Sequence, residues 1–246
     1  MRYFSRKDIE QISKRVIRAY EKQANVPKGP LRWVDPDVLS KDLLGLTVVY
    51  ETLSLDQKVL GATAYSPVGI RIFDDNGKPD FFFVDGKTLL IDKSLLAKNA
   101  IEGRHNFTLI HEASHQIYKM LFPSDYSDDV KERRVKYSIP SLYYRKGQGS
   151  QYWEEWKTNI LASALILPEE YLRYNMSMIG MHDAIRILDP VYDPSGYRLF
   201  CELAAGMHVS KQALAIRMKG LGLLKENYLQ SPGASLNIWK DDDEDF

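Results

Sequence analysis

The chain has 246 residues, is 44% apolar, and balances 33 Lys and Arg against 33 Asp and Glu. That length and apolar content suit one large packed domain, or a core with a small subdomain. Zero formal net charge gives no case for a nucleic-acid or membrane partner, and a single cysteine excludes an internal disulfide framework. No apolar run approaches the roughly 18 residues of a membrane span. The first residues hold no signal-peptide core, so a cytoplasmic location is expected.

Residues 5–24 predict an amphipathic helix. Ser5 and Asp8 read as a capping box, and Ile9, Ile12, Val16, Ile17 and Tyr20 form an apolar stripe. Lys14, Arg15, Arg18 and Lys22 make its solvated face. A turn-rich link over 27–36 follows. The period then changes to that of strands at 46–50, 59–65, 69–73, 81–84 and 88–91, with hairpin-type turns at 74–77 and 85–86.

The stretch 104–121 has no proline or glycine, while Gly103 and Pro123 punctuate its ends. Ile110, Ala113, Ile117 and Leu121 recur at helical spacing. Residues 111–115 read His-Glu-Ala-Ser-His. Histidines four apart on a helix project from one face, so His111 and His115 can bind one metal ion, with Glu112 beside its open position. The periodicity puts both at the edge of the core. The alternative is two ordinary helix histidines and a solvated Glu112.

Catalytic zinc usually takes three protein ligands. His105, six residues before His111, points away on a straight helix, while His182 and His208 are not excluded by spacing. Another helix is predicted over 152–167, ending at Pro168. Its apolar stripe is Trp153, Trp156, Ile160, Ala164 and Leu167, and Glu155, Asn159, Ala162 and Ile166 form an adjacent row. A glutamate on that row could meet the histidines if the helices pack together.

The run Arg-His-Asn-Phe-Thr-Leu-Ile-His-Glu-Ala-Ser-His over 104–115 resembles the active-site helix of ImmA/IrrE-type metallopeptidases. Glu155, Asn159, Ala162, Leu165 and Pro168 are similar to that family's second helix, and 203–224 to its C-terminal region. The resemblance covers about residues 100–224 in three ordered blocks. It implies that Glu155, not Glu154, is the third zinc ligand, alongside His111 and His115. It also implies that the protein substrate is a helix-turn-helix repressor. Ala113 and Ser114 depart from the usual Leu-Gly; facing away from the metal, they predict altered packing rather than lost chemistry. The family's N-terminal helix-turn-helix is absent.

The fold expected is α+β: a minimal zincin-like core with a small, mainly antiparallel sheet and active-site helices, then a helical C-terminal region. The organisation expected is a core with its N-terminal helix over 1–188, a helical subdomain over 189–228, and an acidic, disordered tail over 229–246. The long polar stretch 122–151, with Arg133, Arg134, Gly147 and Gly149, reads equally as a lid or as a solvated insertion. Cys201, among Leu199, Phe200, Leu203 and Ala204, reads as an inert buried thiol.

Zinc-dependent peptide hydrolysis is the first reading, with Glu112 as general base and then acid. Tyr118, Tyr126, Tyr137 and His182 are candidates for a second oxyanion donor. A zinc-stabilised binding module without proteolysis is the second reading. In the third, residues 197–224 form a helix-turn-helix, turning at Gly206 and capped by Ser210, that reads DNA through Lys211, Gln212 and Arg217. A glycosidase dyad of Glu154 and Glu155 is disfavoured, because neighbours on a helix point about 100° apart.

Overall fold

The computed structural model describes residues 3–98, 101–126, 135–138 and 150–235. Arg133, Arg134, Gly147 and Gly149, and the acidic run 241–245, lie outside the described residues. The fold is α+β with a helical C-terminal region. It divides into two compact units, one of residues 1–27 and 34–166, the other of 28–33 and 167–246.

The first unit opens on α1 (Arg6–Tyr20), and both halves of the Ser5–Asp8 capping box are made. Such a cap is worth about 0.5–2 kcal/mol to the helix. Ile9, Ile17 and Tyr20 are buried along one face of α1. Five strands follow: β1 (Thr47–Glu51), β2 (Gly61–Ala64), β3 (Val68–Phe73), β4 (Pro79–Val84) and β5 (Thr88–Asp92). A sixth strand, β6 (Val135–Ser138), falls inside the long polar stretch 122–151.

The main sheet has the order β1-β5-β2-β6. Its β2–β5 and β2–β6 pairs are antiparallel, while β1 and β5 run parallel. The hairpin β3–β4 forms a separate two-stranded sheet, turning at Gly77 with φ +75. The turn at Asp85 and Gly86 does not close a hairpin, because β5 leaves β4 and pairs with β1 and β2. Gly86, at φ +85, takes a left-handed conformation that a side chain would resist. Ala62, Ala64, Ile70, Ile72, Val84 and Leu90 pack into one apolar cluster with Leu53.

Two helices complete this unit: α2 (Glu102–Leu121) and α3 (Ser150–Ile166). Gly103 lies within the first turn of α2 rather than before it. The Gln116 amide donates to the Thr63 hydroxyl at 2.6 Å and to the Ala64 carbonyl at 2.8 Å, tying α2 to β2. The Ser13 hydroxyl donates to the Ala164 carbonyl at 2.9 Å and ties α1 to α3.

The second unit contains α4 (Glu169–Met178), β7 (Ile185–Leu188), α5 (Pro194–Gly206), α6 (Lys211–Gly220) and β8 (Leu224–Asn227), with β7 and β8 parallel. Phe200, Leu203, Leu214 and Met218 are buried in it. Ser210 caps α6 by accepting from the Ala213 amide. The α5–α6 turn falls one residue beyond Gly206, which ends α5; His208 supplies the positive φ of 55 instead. Among the described residues, no helix is long and apolar enough to cross a membrane.

Candidate metal centre

The site is built where α2 crosses α3, with β2 beneath. His111 and His115 leave α2 one turn apart, with ring centroids 5.0 Å apart. Glu155 reaches both from α3: Oε2 lies 3.4 Å from His111 Nε2, and Oε1 lies 3.6 Å from His115 Nε2. One ligand atom from each residue falls within a 4.8 Å span, in the one such His, Cys, Asp or Glu group among the described residues. His105 is engaged elsewhere, its Nε2 2.9 Å from the Tyr50 hydroxyl. His208 packs on Trp33, with ring centroids 4.1 Å apart.

The hydrogen bonds decide which nitrogen of each imidazole is free to ligate. His111 Nδ1 lies 3.1 Å from Asn159 Oδ1, an oxygen that can only accept, so Nδ1 carries the proton. In the neutral ring His111 Nε2 then presents a lone pair, and it is buried without a hydrogen-bond partner. A buried nitrogen in that state is costly unless something fills its lone pair. His115 Nδ1 is 3.0 Å from the Tyr65 hydroxyl, which donates its own hydrogen to Glu154 Oε1 at 2.9 Å. Tyr65 therefore accepts from His115 Nδ1, and His115 Nε2 also faces Glu155 unprotonated. Two imidazoles aimed at one carboxylate make a donor set that fits a divalent cation.

Electrostatics agrees with that assignment at His115. Burial pushes His115 down to about 3, keeping it neutral. Burial opposes charge on Glu155, but His115, His111 and Lys136 outweigh it and hold the carboxyl below its ordinary range. For His111, burial works against the proton, while Glu155 and Glu112 together draw it upward. A cation would satisfy the same two carboxylates without protonating the ring.

The centre lies inside the fold rather than at the edge of the core. His111 is 5% exposed, His115 1%, Glu155 4% and Glu112 0%. Glu112 sits against β2 at Gly61, where a Cβ would meet its carboxylate. Ala113 and Ser114 are fully buried, and the Ser114 hydroxyl bonds back to the Ile110 carbonyl. Both are thus packing positions.

Glu154 and Glu155, adjacent in sequence, do separate work. Glu154 is buried behind His115, taking Tyr65 on one oxygen and Lys136 Nζ on the other at 2.8 Å. Breaking such a buried pair costs about 3–5 kcal/mol. A glycosidase dyad is therefore not formed. Tyr65 and Lys136 had no signal in the spacing of the motif, since one follows directly on β2 and the other lies on β6.

Among the oxyanion candidates, Tyr118 is fully buried and its hydroxyl donates to the Lys157 carbonyl at 3.2 Å. The Tyr126 hydroxyl accepts from Lys157 Nζ at 3.0 Å. Tyr137, on β6, is 39% exposed and is the accessible hydroxyl of these three. His182 belongs to the second unit. Cys201 is a free thiol, half-buried rather than enclosed.

The DNA-reading role also loses a residue. Arg217 is buried, and its Nε donates to the Leu167 carbonyl at 3.0 Å. Its guanidinium serves packing within the second unit, whereas Lys211 and Gln212 are exposed. Sequence comparison matches the chain to no protein-family model and to no curated protein.

Proposed function

We propose that the chain is a zinc-dependent endopeptidase of the ImmA/IrrE type, acting in the cytoplasm on a protein substrate, a helix-turn-helix repressor. The observation that carries this is the convergence of His111, His115 and Glu155, each offering one ligand atom within a 4.8 Å span. Two imidazoles and one carboxylate form the ligand set of hydrolytic zinc sites, whose fourth position is open.

His111, His115 and Glu155 would hold the ion. When bound, zinc supplies Lewis acidity, which polarises a carbonyl oxygen and acidifies water. Glu112 takes a proton from the attacking water and returns it to the leaving amine. Its burial against Gly61 supports that role by giving the carboxylate a fixed seat. Asn159 and Tyr65 keep the two imidazoles in the ligating tautomer.

The test uses the zinc-loaded chain and a helix-turn-helix repressor encoded beside it. One discrete fragment, absent with a chelator, is the expected result. An intact repressor under conditions where zinc is bound would favour the zinc-stabilised binding module instead.

A further inference from the structure

We propose that Tyr65, Glu154 and Lys136 form a positioning chain that holds His115 as a metal ligand, an inference that rests on the metal-binding reading of His111, His115 and Glu155. Nothing in the His-Glu-Ala-Ser-His pattern contains these three residues. They come from three places: the end of β2, the first turns of α3, and β6.

Each link has one direction. The Tyr65 hydroxyl owns a single hydrogen, and it goes to Glu154 Oε1 at 2.9 Å. Its oxygen is then an acceptor towards His115 Nδ1 at 3.0 Å. Glu154 is kept as the acceptor by Lys136, whose ammonium lies 2.8 Å from the other carboxylate oxygen. The Thr158 hydroxyl donates to the Glu154 carbonyl at 2.8 Å, so its contact with His115 Nδ1, at 3.4 Å, is a weaker second acceptor.

Lys136, Glu154 and His115 are each 5% exposed or less, and Tyr65 is 6% exposed. Water therefore cannot easily replace a lost link. A partner on the outer nitrogen of a ligating histidine fixes its tautomer and raises its basicity. His111 has only the neutral amide of Asn159 for this. His115 has a hydroxyl backed by a carboxylate and an ammonium, so the two ligands are held with different strength. Tyr65 also packs on Tyr126, with ring centroids 4.6 Å apart, so a phenylalanine there keeps the packing and removes only the oxygen.

The experiment pairs imidazole nitrogen NMR on the metal-free full-length chain with a chelator-competition titration of zinc. In the wild type, His115 is expected as the Nδ1–H tautomer. Tyr65→Phe should shift it towards a mixture of tautomers and weaken zinc binding about 10–100-fold. Glu154→Gln, which strands Lys136, should move both readouts the same way. The double variant should be no weaker than the weaker single, since both act through one contact. An unchanged tautomer and affinity in Tyr65→Phe overturns the positioning chain. Should that variant not fold, the same outcomes in Glu154→Gln decide it. A wild type that takes up no zinc overturns the proposed function instead, and the tautomer arm still decides the chain.

Discussion

Gly61 and Glu112 are in direct apposition: a methyl group at position 61 would lie 2.5 Å from Glu112 Oε1. Gly61 pairs with Ile91 on one side and Ser138 on the other, so the strand cannot easily retreat. The carboxylate must move instead. Gly61→Ala should therefore leave zinc affinity unchanged and displace the base. Cleavage should fall on the order of 100-fold, the cost of a misplacement of about 1 Å. Parallel zinc titration and repressor cleavage check it, and undiminished cleavage would show that Glu112 needs no such seat.

The two acidic roles should separate cleanly. Glu112→Gln is expected to keep zinc bound and lose cleavage by about 100-fold or more, the scale of general base catalysis. Glu155→Gln is expected to weaken zinc by more than about 100-fold, beyond what outer residues cost. Bound zinc per chain after desalting, measured beside repressor cleavage, tests both. Full cleavage by Glu112→Gln would sink the mechanism.

Arg217 is a structural residue by its burial and its bond to the Leu167 carbonyl. Arg217→Ala should destabilise the fold by about 1.5–3 kcal/mol, the range for a hydrogen bond to a charged group. Chemical denaturation measures this directly. A variant as stable as the wild type but weaker in salt-sensitive duplex binding would revive the DNA-reading role.

Acid should weaken the second unit through Asp189. Burial works against its charge, but the Ser235 hydroxyl and the amides of Gly233, Val191 and Tyr192 hold the carboxyl well below its ordinary value of 3.8. Since the folded pKa is the lower one, this stabilisation is complete above about 3.8 and is lost as pH falls towards the folded value. Asp189→Asn should remove part of the stability and flatten its pH dependence between about 2 and 4. Melting curves across that window give the comparison, and an unchanged slope would contradict it.

Local signals were easy to read because they act over one turn or one strand. The Ser5–Asp8 capping box and the five strands between Thr47 and Asp92 match their predicted positions to within a few residues. Gly77 closes its hairpin, as an Asn-Gly pair at a turn predicts. Gly86 looked the same in sequence yet links two different sheets, because strand pairing is chosen by packing and not by the turn. Arg217 misled for a similar reason. A basic residue on a second helix reads as a DNA contact until a carbonyl is found to occupy it.

By itself the sequence determined that His111 and His115 share a helix face, since four residues make nearly one turn. It also placed Glu155 and Asn159 on one row of the next long helix. Only the tertiary structure decided that this row faces the histidines, at 3.4 and 3.6 Å from the Glu155 carboxylate. It alone brought Tyr65 and Lys136 behind His115 and set Gly61 under Glu112. The physical reason is range. Helix periodicity is written in neighbouring residues, whereas the partners that fix a tautomer or seat a carboxylate are joined only by the burial that packs α2, α3 and β2 together.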